Sequence, residues 1–570
     1  MAVAAELGEI FGAEIHHLPI VTAYARRIRL VETINRLVPS EMEQDLGTLT
    51  LAMVVDALSG RHPLYRIGAF FENKDRELLL GEDVDLDYLS DDTFGRLLDR
   101  LYEANTTVLF SEIARNAFEA FDVTERHIHF DTTSLHVYGA YDPPEDAETA
   151  PPFRITHGYS KDHRPDLKQF LMSLLCVGGN VPFFGKIEDG NASDKDINHA
   201  VLSTISHHLA RVGLDPRASI YIADSALVTE SNLTTLNDTT RFITRLPANY
   251  AEHDRVVREA VVHNQWVDYG RLALGRPTPK RPGALYRGYE TPLTLYGRSY
   301  RAVVVHSSAN DRRRQQRLQR HVAQERTAWT QRLQEAQKTL FFCRADAEAA
   351  AQALENASRR YHDLGVTIHE RPRYARGRPR ANAPRTIREM RYGLVATLCE
   401  RDEAIAQAKE EAGCFVLLTN VPPEGPPGSP VAYDGKTVLE AYKDQHGIER
   451  NFGFLKDPVI VNSLFLKRPE RIEALGLVLL IALLLWRLME RAMRRHVAET
   501  QRLLVGWDNR PTDRPTAFMM TTKFEGVLVL TIGRQRRLLR PLSEVQQAYL
   551  RALGLAAAIF TQPPKARAGP

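Results

Sequence analysis

The chain has 570 residues, 44% of them hydrophobic and 25% charged, which is ordinary for a globular protein with more than one core. Its formal net charge is only +3, so there is no global basic field, and any nucleic-acid contact must come from local clusters of Arg and Lys. Four cysteines (Cys176, Cys343, Cys399, Cys414) lie far apart without a C-x-x-C pair, which argues against a disulfide framework or structural zinc and favours a reducing compartment.

Residues 1–122 predict a helical domain, for DNA binding or for dimerisation. In "IVTAYARRIRLVETINRLV", "TLAMVVDALSG" and "SDDTFGRLLDRLYEA" apolar positions recur at three and four, with Ser90 as the N-cap of the last. No basic-then-apolar signal pattern opens the chain.

Residues 123–247 change to β-rich runs. "HIHFDTTSLHV" predicts a strand, "QFLMSLLCVGG" and "VPFFGKIE" a hairpin, and "DINHAVLSTISHHLARVG" a helix. "SIYIADSAL" and "RFITRLP" predict two more strands. Three consecutive strands followed by strands alternating with helices make a mixed sheet, hence an α/β domain.

Residues 248–430 predict an intervening domain. It begins with an antiparallel β patch over 260–305 containing Trp266. Two interleaved seven-residue series follow, Val322 to Ala357 and Leu333 to Tyr361, and their period predicts a coiled coil. Its partner is either the stretch 386–412, read as a helix, or another protomer. A basic loop over 371–388 carries "RGRPR", similar to an AT-hook core, in which Arg376, Arg378 and Arg380 would face DNA. The same loop also reads as a basic linker. The runs "DRRRQQRLQRH" and "GRQRRLLRP" (533–541) could track phosphates or form solvated faces.

Residues 431–495 predict helices. The most apolar run, Ala474 to Trp486, has thirteen residues where a membrane span takes roughly 20. It predicts a core helix in a soluble, cytoplasmic protein without membrane contact. Residues 496–570 form a C-terminal region. No P-loop occurs, so no ATP dependence is expected.

Three carboxylates stand out: Asp131 and Asp224 in apolar strands, and Glu449 on a helix. Hard oxygen donors from separate elements suit one or two Mg²⁺ ions. A strand-end Asp also serves commonly as a turn or cap residue. Strand alternation puts His127 and His129 on the face of Asp131, as strand residues rather than ligands.

The stretch "YKDQHGIERNFGFLK" (442–456) matches the Y-x-x-R-x-x-x-E-x-x-x-x-x-x-K signature of the IS-four superfamily of DDE transposases from bacterial insertion sequences. Tyr442, Glu449 and Lys456 fall on its positions, and Gln445 stands where the signature has Arg. "HFDTTSLHVYG", "HGYSKDHRPDLKQFLMSLL", "EDGNASD", "YIADSALVTESNL", "FITRLP" and "FVLLTN" make the wider chain similar to the IS-sixteen-thirty-four branch. The resemblance implies an RNase H-like catalytic domain with a domain inserted between the second Asp and the Glu. It implies that Asp131, Asp224 and Glu449 bind two Mg²⁺ (or Mn²⁺) ions for DNA cleavage and strand transfer.

By the same resemblance Tyr442 and Lys456, on one helix face, would contact phosphates of the terminal inverted repeats. Gln445 would do so without charge, and Lys443 and Arg450 would compensate. Lys161, Arg164 and Lys168 would face phosphate or orient Asp131, and Trp266 could stack a flipped base, although a core role fits it as well. The expected partners are end and target DNA and a second protomer, in the bacterial cytoplasm near the nucleoid. Two rivals share the acids or the ancestry: a metal-dependent nuclease of RNase H fold, and a non-transposing DNA-binding descendant.

Overall fold

The computed structural model describes residues 10–139, 141, 151–160, 164–237, 240–272, 283–376, 384–424, 432–457, 466–533 and 535–564. It divides into two compact units. The first comprises Met1–Thr244, Asn420–Ala432 and Ala441–Pro570; the second comprises Arg245–Thr419 and Tyr433–Glu440.

The first unit is built on a mixed sheet of β1 (His127–Val137), β2 (Lys168–Val177), β3 (Val181–Glu188), β4 (Ile220–Ala223) and β5 (Arg241–Arg245), in the order β3-β2-β1-β4-β5. All residues of β4 and all but the first of β2 are buried, as expected where both faces of a sheet are covered. β1, β2 and β3 form an antiparallel meander, with Asp131 opposite Leu174. The helix Asp194–Arg211, opened by Ser193 as N-cap, leads to β4 on the other side of β1. There β4 lies parallel to β1 (His129 beside Ile222) and to β5. The chain order therefore reverses between β1 and β4.

A core helix, Pro469–Thr500, covers this sheet. Gly185 and Gly476 allow the approach: a Cβ on Gly185 would lie 2.6 Å from Leu480, and one on Gly476 would lie 2.9 Å from Ile187. The helix is long and apolar enough to cross a membrane, but its apolar window is 94% buried inside the protein. The expected core helix is therefore found, longer than its thirteen-residue apolar centre. Its other side packs on Leu46–Ala57, Asp91–Glu103 and Thr106–Phe121, and Ser90 caps the second of these as expected.

The chain termini meet in the same unit. Ile10–Glu14 pairs with Leu528–Ile532, and the Tyr24 hydroxyl donates to the Leu553 carbonyl at 3.0 Å. This settles the "GRQRRLLRP" run differently for one residue. Arg536 is buried and holds Asp75 at 2.5 Å and Glu77 at 2.5 Å, a structural ion pair and not a phosphate-tracking side chain.

In the second unit Val267–Arg271, Leu285–Leu295, Arg298–Ser307 and Cys414–Thr419 form the expected antiparallel patch. A continuous coiled coil over 322–361 is not formed, although the end of the expected partner stretch, the helix Asp402–Ala412, packs on Ser308–Lys338 through Leu318, Val322 and Ala408. The helix Ser308–Lys338 stops, a second helix runs only over Arg344–Glu355, and the chain then turns into a long hairpin, His362–Tyr374 with Ile387–Glu400. The supposed partner helix 386–412 is this second strand followed by the helix Asp402–Ala412. Several heptad residues are buried all the same: Trp329, Leu333, Ala347 and Leu354 pack on Leu364 and Leu394 of the hairpin, while Leu340 and Cys343, where the helix is interrupted, are exposed. An apolar helical stripe needs an apolar face opposite it, and here a β-ribbon supplies that face. Of the expected basic loop 371–388, residues 371–374 and 387–388 are the outer ends of these two strands rather than loop, and residues 377–383 lie outside the described residues.

Candidate active site

Asp131 lies within β1 and Asp224 directly follows β4. Pairing between the two strands runs from His127 beside Ile220 to His129 beside Ile222. Continued by two residues, that register sets Asp131 beside Asp224. Registered residues of parallel strands point to one face, so the carboxylates share a side of the sheet. They also share a position, the carboxyl end of β4 at the point where strand order reverses. That is where open α/β sheets leave a crevice for ligands.

Local hydrogen bonds fix both acids. Asp131 accepts the Thr132 N–H at 2.8 Å. Asp224 accepts the Ala226 N–H at 3.0 Å, opening a short 3₁₀ turn, and its own carbonyl accepts the Thr244 hydroxyl at 2.7 Å. On β4, and by strand alternation on the opposite face of the sheet, Tyr221 is fully buried, its hydroxyl donating to Asn198 at 3.2 Å. Burial, and then the negative charges of Asp224 and Asp131, push that hydroxyl well above its ordinary pKa. Both carboxylates thus act electrostatically on one side chain.

Glu449 is exposed in the first turn of the helix His446–Lys456, which packs against β1 and the core helix. Asn451, fully buried two residues further on, anchors this helix. Its amide donates to the Asn180 carbonyl at 2.9 Å and to Cys176 Sγ at 3.1 Å, and its oxygen accepts from Arg487 at 2.6 Å. Arg487 in turn holds Glu490 at 2.6 Å. Burial pushes the Cys176 thiol up to about 12, so it stays protonated.

The signature residues do not share one helix. Gly435–Lys443 ends at Lys443, and the chain tightens through 3₁₀-type bonds before His446. Gly447 faces Asn180 so closely that a Cβ would meet it at 2.0 Å. Tyr442 and Lys443 therefore sit on the first helix, Gln445 in the turn, and Glu449, Arg450 and Lys456 on the second. The expectation of a single face holds only for Glu449 and Lys456.

The flanking basic residues also separate. Lys168 pairs with Val137, about 20 Å along β1 from Asp131 at 3.4 Å per residue, so it does not orient that carboxylate. Arg164 is exposed and bound to Asp166 at 2.7 Å. Arg376 is exposed, while Lys161, Arg378 and Arg380 lie outside the described residues. Trp266 is partly buried under the Arg287 guanidinium, 4.7 Å from its ring centre.

Sequence reasoning gave Asp194 no chemistry. In the fold its carboxylate accepts the Thr132 hydroxyl at 2.5 Å, next to Asp131. His129 is buried and burial lowers it to about 3, so it stays neutral beside the acids. A cavity of about 260 Å³ opens elsewhere in the first unit, lined by Asp56, Arg61, His62 and Arg471 and by none of the three acids.

Asp131 and Asp224 offer a pair of hard oxygen donors side by side, the type that Mg²⁺ takes. Among the described residues, no three His, Cys, Asp or Glu side chains converge at metal-holding distance, so Glu449 does not complete a three-ligand group in this arrangement.

Residues 11–115 match a family model described as a domain of unknown function (DUF4277). That match covers the helical N-terminal part and none of the three acids. No curated protein matches the chain.

Proposed function

We propose that the chain is a DDE transposase that cuts the terminal inverted repeats of its own insertion sequence and joins them to target DNA. In this reading the first unit is an RNase H-like catalytic domain and the second is the domain inserted between Asp224 and Glu449. The observation that carries it is the parallel register of β1 and β4, which, continued two residues past its last pair, sets Asp131 beside Asp224 at the reversal point of the sheet. Two carboxylates side by side repel one another, and a site that keeps them together has a use for a cation between them.

Asp131 and Asp224 would hold the metal from the sheet, and Glu449, which does not join them in this arrangement, would approach it from the helix packed against that sheet. Bound there, Mg²⁺ or Mn²⁺ would supply Lewis-acid activation of water, and then of a freed 3′-OH, for attack on a phosphodiester. Lys456, on the Glu449 helix, and Tyr442, on the helix before it, would grip phosphates of the transposon end. Gln445 would add a hydrogen bond without charge, and Lys443 and Arg450 would strengthen the local field. Joining two ends calls for at least a dimer in the active complex, in the bacterial cytoplasm close to the nucleoid.

The test uses duplexes carrying the inverted repeats that flank the gene, incubated with Mg²⁺ or Mn²⁺. Wild-type protein should cleave at the repeat boundary and transfer the strand. Asp131→Ala, Asp224→Ala and Glu449→Gln should each lower the rate by a factor on the order of 10³ or more, the scale of losing a group that stabilises transition-state charge. Undiminished activity in any of the three would remove that residue from the site. Cleavage without strand transfer would favour the nuclease.

A further inference from the structure

The hairpin of the second unit has two halves of different character. Its base is part of a core, since Leu364 and Leu394 are buried with Trp329, Leu333 and Ala347. Its outer half is uncovered by any described residue: Arg371 to Arg376 along and after one strand, and Pro384 to Arg388 before and into the other, are all exposed. A two-stranded ribbon in water is marginally stable by itself, so the fold maintains an extension that contributes no core.

Charge separates the halves further. From 369 to 391 the described residues include six arginines (371, 373, 376, 385, 388 and 391) against two glutamates (370 and 389). That local excess of four positive charges exceeds the +3 of the entire chain. Register concentrates it, because Arg371 lies directly opposite Arg391, with Arg373 opposite Glu389 on the same face. Like charges directly opposite are destabilising. Glu389 stands 2.8 Å from Arg391 and 3.7 Å from Arg373, one carboxylate among three guanidinium groups.

We propose that this outer half is a β-ribbon arm that enters the major groove of duplex DNA, with its arginines on the flanking phosphates. Strands about 4.8 Å apart fit a groove about 12 Å wide, while the minor groove, at about 6 Å, is too narrow for two strands. The four residues from Arg371 to Tyr374 reach about 14 Å beyond the packed base, enough to span the groove depth of about 8.5 Å. The choice of DNA as partner rests on the transposase reading; the arm itself does not require the three acids.

The test measures binding of the full chain to a mixed-sequence DNA duplex over a series of salt concentrations. Removing three phosphate contacts with Arg371→Ala, Arg373→Ala and Arg388→Ala together should flatten the dependence of log K on log salt by about 2.7, at about 0.9 per contact. The same three positions changed to Lys should keep most of the slope, which separates lost charge from lost folding. An RNA duplex of the same sequence should compete poorly, because the A-form major groove is too narrow to enter. An unchanged slope in the Ala variant, or equal competition by the RNA duplex, would overturn the proposal. If wild-type protein never cleaves but the Ala variant still loses slope, the catalytic reading fails and the arm stands; cleavage with an unchanged slope gives the reverse.

Discussion

Asp56 is 1% exposed, yet its carboxylate meets the His62 backbone N–H at 3.0 Å and the ring Nδ1 at 2.6 Å. The hydrogen bond to Asp56 raises the His62 pKa, while burial raises that of Asp56 and the bonds from His62 partly offset this. A histidine raised on folding contributes its stability in full below the unfolded value of about 6.5, and loses it as pH climbs through the folded value. The thermal midpoint should therefore fall across that window, and His62→Gln should flatten the fall. An identical pH profile in the variant would show that the pair is not coupled to folding. Arg536→Ala leaves buried Asp75 without its guanidinium, so chemical denaturation should report a loss of about 3–5 kcal/mol. A loss under about 1 kcal/mol would class the pair with surface bridges. Neither pair was legible from the sequence. The run "GRQRRLLRP" reads as basic, and only the fold brings Asp75 to Arg536 and Asp56 to His62.

At the scale of elements, legibility followed how much one period dominated. β2 and β4 are nearly all apolar over their length, so burial on both faces could be read directly, whereas β1 (HIHFDTTSLHV) is mostly polar and is buried all the same. The hairpin was legible too, but a competing period hid it. Leu364, Val366 and Ile368 alternate with polar or small residues, as do Met390, Tyr392, Leu394 and Ala396 on the other strand, a period of two that marks β structure. The seven-residue series, Val322 to Ala357 and Leu333 to Tyr361, ran up to the hairpin and led to reading 386–412 as a partner helix, which overrode that alternation. The same scale predicts the tolerance of the sheet to change. Gly185→Val should push Leu480 and tilt the core helix off β3, lowering stability by about 1–3 kcal/mol as overpacking does. An unchanged denaturation midpoint would mean that the helix adjusts freely.

At the scale of the molecule, what the sequence could not reveal was proximity. The 93 residues from Asp131 to Asp224 and the 225 from there to Glu449 carry no information about which acids meet. Sheet topology brings the first two together through parallel pairing, and Asn451 fastens the Glu449 helix against the same strand. Asn451 offered only a weak signal, an amide among Phe452, Phe454 and Leu455. The N-terminal helices and the C-terminal strands interleave around the core helix within one unit, which no local pattern could show. The central claim is that Asp131 and Asp224 work as a pair on DNA. The direct measurement is metal-dependent cleavage of terminal-repeat duplexes by wild-type, Asp131→Ala, Asp224→Ala and doubly substituted protein. Residues that act as one unit are non-additive, so each single variant should be as inactive as the double. Losses that instead multiply independently, or a single variant that retains wild-type cleavage, would contradict a shared site.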